Sequence, residues 1–305
     1  MALSVSAGTR PRRRGPQARR QRLGLLFVLP AVLLVLGIFV VPVIVTAVMS
    51  FYDWSLLGDR TFVGLDNYTR LAGDTQFWQS LGFTTLYTVI VTAALLLVGF
   101  ALALAVRHRR RGVGLLRTAF VMPVVIGFAT ASYLTLWLLD DRIGIVPDLL
   151  RRVGLVDGNV SVFSDFSSAL AVVVVLVVWK TVGLTMLLLM SGMQAISKDF
   201  YEAAQVDGAR PARMFRSITL PLLRPTIGLV LILTVIGSYL AFDQFFILTQ
   251  GGPDNSTIPV VYLIYRAGFI DFNLGYSAAM SIGLMVILLI LTSIQLLIVR
   301  TREDQ

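Results

Sequence analysis

The sequence predicts an all-α membrane protein with six transmembrane helices, from its composition, the length of its apolar runs and the placement of its charges. Hydrophobic residues make up 56% of the 305 residues and the mean hydropathy is +0.81, which is more apolar than an ordinary soluble domain. A transmembrane helix needs about 20 mainly apolar residues, and six stretches are long enough. They are 23–51, 79–106, 115–138, 168–193, 225–248 and 276–299.

The charges predict the orientation of these helices. Of the 26 basic residues, 19 lie before Leu23, from Arg107 to Arg117, from Lys198 to Arg224 and after Val299. Six lie in the other loops, and Lys180 lies inside a stretch. Because basic residues accumulate on the cytoplasmic side of membrane proteins, both termini are expected in the cytoplasm.

Three parts are expected along the chain: a disordered basic cytoplasmic tail at 1–22, a membrane domain at 23–299 and a short cytoplasmic tail at 300–305. The arginines of the first tail favour contact with anionic membrane lipid rather than nucleic acid, because no aromatic residues are interleaved with them. The chain contains no cysteine, so it has no disulfides and no thiolate-held metal. No loop is long enough for a soluble catalytic domain.

Proline and glycine predict local breaks. Pro30 and Pro42 lie inside the first stretch and are expected to kink it. In the last outer loop, 249–275, turn-forming residues at 251–254 precede a partly apolar run at Val260–Ile270. We expect that run to form a short helix at the membrane surface.

The inner segment 194–225, between the fourth and fifth stretches, contains the signals of a short helix. Ser197 is a favourable N-cap, and Asp199 places negative charge in the first turn. These residues predict a helix from Lys198 to Val206. Gly208 would end the helix, because glycine adopts the left-handed conformation freely.

A second short helix is expected after this glycine. Pro211 suits its first turn, and Leu220 with Pro221 would interrupt it. The result would be two helices joined at a glycine elbow. Composition alone does not exclude a plain interfacial loop in which Glu202 and Asp207 are solvated.

The same segment carries a longer motif, with Glu-Ala-Ala at 202–204, glycine at 208 and Ile-x-Leu-Pro at 218–221. This pattern resembles the EAA loop in the membrane subunits of binding-protein-dependent ABC importers. The resemblance implies the type I ABC importer permease fold, in the bacterial plasma (inner) membrane. It also implies that these residues couple the chain to an ATPase: Glu202, Ala203, Ala204, Asp207, Gly208, Phe215, Leu220 and Pro221.

The resemblance further implies that ATP is bound by a separate ATPase subunit, expected as a homodimer. A Walker A motif places its lysine after a glycine, whereas the two lysines of this chain, Lys180 and Lys198, follow Trp179 and Ser197. We therefore expect no cofactor, metal or catalytic residue in this chain.

A second resemblance concerns the last outer loop and the sixth stretch. The Gly-Gly-Pro at 251–253, Thr257, 262–265, Phe269 and 275–279 are similar to the first permease subunit of maltose and glycerol-3-phosphate type importers. This resemblance implies a carbohydrate or polyol substrate. It also implies a second, different permease subunit and an extracytoplasmic substrate-binding protein.

Polar and aromatic residues inside the stretches are candidates for a substrate path, because intramembrane polar groups usually face a cavity or a partner. A sugar needs hydrogen-bonding groups for its hydroxyls and an aromatic face for its ring. The candidates are Trp179, Lys180, Ser238, Tyr239, Asp243 and Gln244. Equally, Lys180 and Asp243 could form a structural pair or contact the second permease.

Two other functions fit the hydropathy. An ion-coupled secondary transporter would need a charged relay over several spans, whereas only Lys180 and Asp243 are available. A membrane scaffold without transport activity would tolerate loss of the elbow at Gly208.

Overall fold

The computed structural model describes residues 27–55, 58–107, 112–154 and 162–300, so the first tail and most of the last one lie outside the description. Within these ranges the chain is mostly helical, with one small hairpin of strands β1 (Tyr52–Asp53) and β2 (Thr61–Phe62). The helices are α1 (Phe27–Met49), α2 (Asp66–Gly73), α3 (Thr75–Val106), α4 (Val113–Val125), α5 (Phe128–Leu138), α6 (Ile145–Arg152), α7 (Phe166–Ala195), α8 (Lys198–Val206), α9 (Pro211–Leu222), α10 (Arg224–Tyr239), α11 (Phe245–Thr249), α12 (Val260–Ile270) and α13 (Leu274–Arg300).

Four of these helices, α1, α3, α7 and α13, are long and apolar enough to cross a membrane. They coincide with the first, second, fourth and sixth predicted stretches. Two further candidates are bent pairs, α4 with α5 and α9 with α10. The described residues therefore contain four unbroken candidate spans, or up to six if each bent pair counts as one. Below, the inner side is the one that carries α8, which the charges predict to be cytoplasmic, and the outer side is the opposite one.

The third predicted stretch is a bent pair of helices rather than one continuous helix. α4 and α5 are bent by 98°, and the backbone between them is extended at Ile126 and Gly127. Pro123 lies in the last turn of α4, where it lacks an N–H group for the helical ladder. Hydropathy counts apolar residues but does not register this change of direction.

The fifth predicted stretch, 225–248, is also not continuous. α10 ends at Tyr239, and the chain leaves helical geometry before the short π-helix α11 begins at Phe245. The polar Asp243 and Gln244 therefore lie after this break, in the helical turn that leads into α11, rather than within one continuous fifth helix.

Near Pro42 one turn of α1 is widened into a π-helical turn, but the helix continues. A π-helical turn at Leu36–Val40 directly precedes Pro42, as expected where a missing N–H group disturbs the hydrogen-bond ladder. No residue of α1 is buried against the described part of the chain. Its apolar surface is therefore available to lipid or to another subunit.

Aspartate caps start two of the spans. The carboxylate of Asp74 accepts hydrogen bonds from the backbone N–H groups of Gln76 and Phe77, at 2.9 and 3.2 Å, and so begins α3 four residues before the predicted start. Asp165 caps α7 in the same way. Hydrogen bonds from the Ser167 hydroxyl and from nearby backbone N–H groups lower the pKa of Asp165.

The core forms where α3 and α7 pack along each other. Tyr87 and Val91 of α3 meet Val173 of α7 in the largest buried cluster. Further toward the inner side, Gly99 brings the helices close together, since a Cβ there would lie 2.6 Å from Cγ2 of Thr185. A small residue at this crossing permits the approach of the two helices.

The buried side chain of Asn67 ties the outer end of α1 to α2. Nδ2 of Asn67 donates hydrogen bonds of 2.9 Å to the carbonyl oxygens of both Ser50 and Tyr52. Asn67 is buried, so these bonds satisfy polar groups that water does not reach.

Replacing Asn67 by Asp should destabilise the fold. The carboxylate cannot donate to the two carbonyl oxygens, so the free energy of unfolding should fall by about 1–3 kcal/mol. Thermal unfolding of the purified protein measures this change. Gln76→Glu makes the same chemical change at an exposed position and should leave the unfolding temperature almost unchanged. Equal unfolding temperatures for the two variants would contradict the assignment.

Candidate functional site

The inner side carries the first of two candidate sites, built around α8. This helix has the predicted bounds, Lys198–Val206, and Oγ of Ser197 accepts a hydrogen bond of 3.3 Å from the N–H of Asp199. No residue of α8 is buried. The helix therefore stands out from the described chain as an exposed element.

A glycine elbow ends α8. Gly208 has a φ of +74°, in the left-handed region that favours glycine. The N–H of Ala209 donates to the carbonyl of Ala204 at 2.9 Å, and the N–H of Gly208 donates to that of Gln205 at 3.0 Å. This pair of bonds is the Schellman arrangement, which satisfies carbonyls at a helix end and sets the direction in which the chain leaves.

The following helix, α9, anchors α8 to the spans. The ring of Phe215 meets that of Phe100 in α3 edge to face, with centroids 6.1 Å apart. The hydroxyls of Tyr201 in α8 and Thr219 in α9 lie 3.0 Å apart in a hydrogen bond. These contacts therefore link α8 to α9, and α9 to α3.

The interruption predicted at Leu220 and Pro221 falls slightly later. The chain passes Pro221 after a π-helical turn at Phe215–Thr219, and it leaves helical geometry at Leu223, where α9 and α10 are bent by 65°. A widened turn accommodates the missing N–H group of proline.

Most of the predicted coupling residues face outward. Glu202, Ala203, Asp207, Gly208 and Leu220 are exposed, whereas Ala204, Phe215 and Pro221 are half-buried. Two apolar side chains of α8 are also exposed, Phe200 at 55% and Val206 at 89%. Exposed apolar side chains beside Glu202 are typical of a protein-binding surface.

The second candidate site is a cavity of about 420 Å³ between α3, α7, α10 and the segment that follows α10. We call it the central cavity. Most of its lining is apolar, with a few polar groups, as is usual for a small-molecule site. The polar lining residues are Tyr87, Thr181, Thr185, Thr234, Ser238, Asp243 and Gln244.

Three of the six predicted path residues line this cavity: Ser238, Asp243 and Gln244. Nε2 of the buried Gln244 donates a hydrogen bond of 3.2 Å to the Tyr87 hydroxyl. Asp243 is half-buried, and its carboxylate has no hydrogen bond or ion pair with any residue in the described ranges. That carboxylate is therefore available to a ligand or a partner.

The other three candidates do not line the cavity. The hydroxyl of Tyr239 lies 2.8 Å from Oγ1 of Thr85 in a hydrogen bond, and Trp179 is 46% exposed. Lys180 is buried, and its Nζ lies 3.3 Å from the carbonyl oxygen of Val124. The structure thus does not join Lys180 to Asp243.

The sequence pattern did not single out Tyr87 or the three threonines of the cavity wall, which are Thr181, Thr185 and Thr234. Thr181 and Thr185, like Thr234 and Ser238, are four residues apart, which places each pair on one face of its helix. This spacing of hydroxyl residues was the pattern in the sequence that could have indicated the cavity wall. Thr181 and Thr234 donate to carbonyls of their own helices, so they offer oxygen lone pairs to the cavity.

Comparison with known proteins identifies the family. The profile of the family described as binding-protein-dependent transport system inner membrane component matches residues 96–303. The chain belongs to this family. It is a multi-pass inner-membrane permease subunit of an ABC importer, with a role in transport rather than catalysis.

Individual relatives agree with this assignment. The chain is 38% identical over 251 residues to the sn-glycerol-3-phosphate transport system permease protein of Agrobacterium fabrum, covering 79% of this chain and 82% of that protein. It is 33% identical over 290 residues to the trehalose/maltose transport system permease protein of Thermococcus litoralis, covering 94% and 96%. A sulfoquinovosyl glycerol permease protein of Agrobacterium fabrum is 31% identical over 283 residues, covering 92% and 91%.

A solved structure shares the fold. A bacterial ABC transporter that imports the acidic polysaccharide alginate has a chain that matches with a TM-score of 0.78 at 22% identity, covering 93% of this chain and 97% of that one. The permease therefore has the type I ABC importer fold.

Replacing Gly208 by Ala should loosen the elbow. No atom lies within 4 Å of a Cβ built at this position, so the cost comes from the left-handed backbone, about 1–2 kcal/mol. Amide hydrogen exchange in the last turn of α8 should accelerate about 5–30-fold. Gly82→Ala, in the helix α3 with equally open space, should leave exchange in α8 unchanged. Identical exchange in the Gly208 variant and the wild type would contradict this account.

Proposed function

We propose that this chain is the permease subunit through which an ATP-driven importer moves a carbohydrate: a sugar, an oligosaccharide or a polyol. In this proposal the two bent pairs each cross the membrane, which gives six spans with both termini in the cytoplasm. The exposed face of α8 around Glu202 carries the proposal, because a helix that is anchored to the spans and covered by nothing in the described chain suits a docking element.

The anchoring of α8 supports a mechanical role. ATP binding and hydrolysis in a separate ATPase subunit would move α8. The Tyr201 and Phe215 contacts would pass that movement to α3 and α9. The bend at Leu223 would let α9 and α10 change their relative angle. Hinged packed helices of this kind convert a local displacement into opening and closing of a cavity.

The central cavity supports a substrate rich in hydroxyl groups. Hydroxyl groups and an amide can exchange hydrogen bonds with a polyol, and the unpartnered carboxylate of Asp243 can accept two. The relatives named for sn-glycerol-3-phosphate, sulfoquinovosyl glycerol and trehalose or maltose carry polyols or sugars in their names.

The importer would contain four kinds of component around this chain. We propose an ATPase subunit that acts as a homodimer and a second, different permease subunit. An extracytoplasmic binding protein would deliver the substrate to the outer side, and membrane lipid would surround the spans. The unburied apolar surface of α1 fits contact with lipid or with the second permease. Nucleic acid has no place in this proposal.

Replacing Glu202 by Lys should abolish association with the ATPase subunit. The change reverses the charge at the centre of the exposed α8 face, where a basic residue of the ATPase would meet it. Copurification of the ATPase with the tagged permease, followed by substrate uptake, measures the effect.

The matched control for this test is Asp271→Lys, which makes the same charge change at an exposed position on the outer side. It should retain the ATPase. If the Glu202 variant still binds the ATPase and supports uptake, the proposed coupling role is contradicted.

Replacing Asp243 by Ala should reduce uptake at least about 10-fold while the importer still assembles. The reason is the loss of a hydrogen-bond acceptor to the substrate, worth about 1.5–3 kcal/mol for a charged group. Uptake of labelled substrate and copurification of the ATPase and second permease are measured on the same preparation. Lost assembly, with no separate defect in uptake, would show that Asp243 holds the complex together instead.

A further inference from the structure

The third apolar segment is broken at the point where a buried lysine of the next span reaches it. α4 ends at Val125, α5 begins at Phe128, and the two are bent by 98°. Such a break leaves carbonyl groups at the end of the first half and N–H groups at the start of the second without helical partners. Inside a membrane these groups must be satisfied by the protein itself.

A single ammonium group contacts both sides of this break. Nζ of Lys180 donates a hydrogen bond of 3.3 Å to the carbonyl oxygen of Val124, in the last turn of α4. The same Nζ lies 4.2 Å from the ring centroid of Phe128, the first residue of α5. A cation is favoured both at the C-terminal end of a helix and over the face of an aromatic ring.

A glycine on the same face of α7 fixes the approach. A Cβ at Gly183 would lie 2.1 Å from the carbonyl oxygen of Phe120 and 2.8 Å from Cα of Val121. Only glycine allows the backbones of α4 and α7 to come this close. Residues three apart share a helix face, so this contact sets the position from which Lys180 reaches the break.

We propose that Lys180 is a positioning residue that holds α4 and α5 at their bend and thereby places the wall of the central cavity. Phe128 lines that cavity, whereas Lys180 does not and is only 6% exposed. The ammonium therefore acts on the cavity through the Phe128 ring and does not touch the substrate. The effect of Lys180 on the bend does not depend on the proposed function. Only the expected effect on uptake rests on that function.

This assignment differs from the three hypotheses that the sequence raises for Lys180, which are contact with substrate, an ion pair with Asp243 and contact with the second permease. In the described part of the chain the one ion pair is between Arg152 and Asp148. Both contacts of the Lys180 ammonium are made to residues that flank the break.

Distance measurements across the break test the proposal directly. The chain has no cysteine, so cysteines placed at Leu116 in α4 and Tyr133 in α5 can be spin-labelled selectively. Both side chains are exposed, at 52% and 61%, so the labels should be tolerated. An unbroken helix would separate these positions by roughly 25 Å at about 1.5 Å per residue, and the bent pair should give a shorter distance.

Three variants are compared in the full-length protein in lipid nanodiscs. Lys180→Met keeps the apolar stem but loses the charge and the donors, so the distance distribution should broaden and shift toward the longer value. Lys180→Arg keeps the charge and should retain the wild-type distribution. Lys198→Met removes the other lysine of the chain, which is exposed on α8, and should also retain it.

A wild-type distance distribution in Lys180→Met would overturn the proposal, whether or not uptake is lost. Lost uptake with an unchanged distribution would assign Lys180 to the substrate or to a partner. If Lys180→Met does not reach the membrane, Phe128→Leu removes the ring from the same contact. A shift in that variant supports the proposal and an unchanged distance overturns it.

Uptake by the assembled importer supplies the functional readout. Lys180→Met should lose most uptake, and Lys180→Arg should recover uptake together with the wild-type distance. A recovery of the distance without uptake would contradict the link to the cavity. The distance measurement requires neither the ATPase nor the substrate. If the proposed function is wrong, the Glu202 experiment will show it, and the distance result will still stand.

Discussion

The proposed coupling of α8 to the spans depends on the edge-to-face contact between Phe215 and Phe100. This contact joins α9 to the inner part of α3, so in the proposed mechanism a force applied to Glu202 reaches α3 through it. Gly208 sets the angle at which α8 meets α9, and the hydrogen bond between Tyr201 and Thr219 closes the same unit. In the proposed mechanism these contacts let α8, α9 and the inner end of α3 move together, as transmission through packed elements requires.

Local chemistry explains why some features could be predicted from the sequence. Ser197 and Gly208 act on their nearest backbone neighbours, so the bounds of α8 followed from cap and breaker rules. The break near Gly127 and the end of α10 at Tyr239 lie inside stretches that are apolar on both sides, so hydropathy does not register them. The two partners of Lys180 are distant in the chain, Val124 by 56 residues and Phe128 by 52, so no local pattern could identify them.

The two candidate sites differ in how many of their residues could be predicted from the sequence. The α8 motif is continuous along the chain, and its residues were found together. The central cavity is assembled from four separate segments, so Asp243 and Gln244 were found as isolated polar residues while Tyr87 and Thr185 were missed. Its lining follows the general pattern of a transporter site, in which irregular backbone within the membrane region borders a cavity.

The accessibility of α8 in the complete importer tests the central claim most directly. A cysteine placed at Val206, which is 89% exposed in this chain, would be the only thiol of the permease. Its reaction with a water-soluble maleimide should be rapid in the permease alone and strongly suppressed once the ATPase subunit is bound. A cysteine at Trp78, exposed near the outer start of α3, should react equally in both states. Undiminished reaction at Val206 in the ATP-hydrolysing complex would contradict the account.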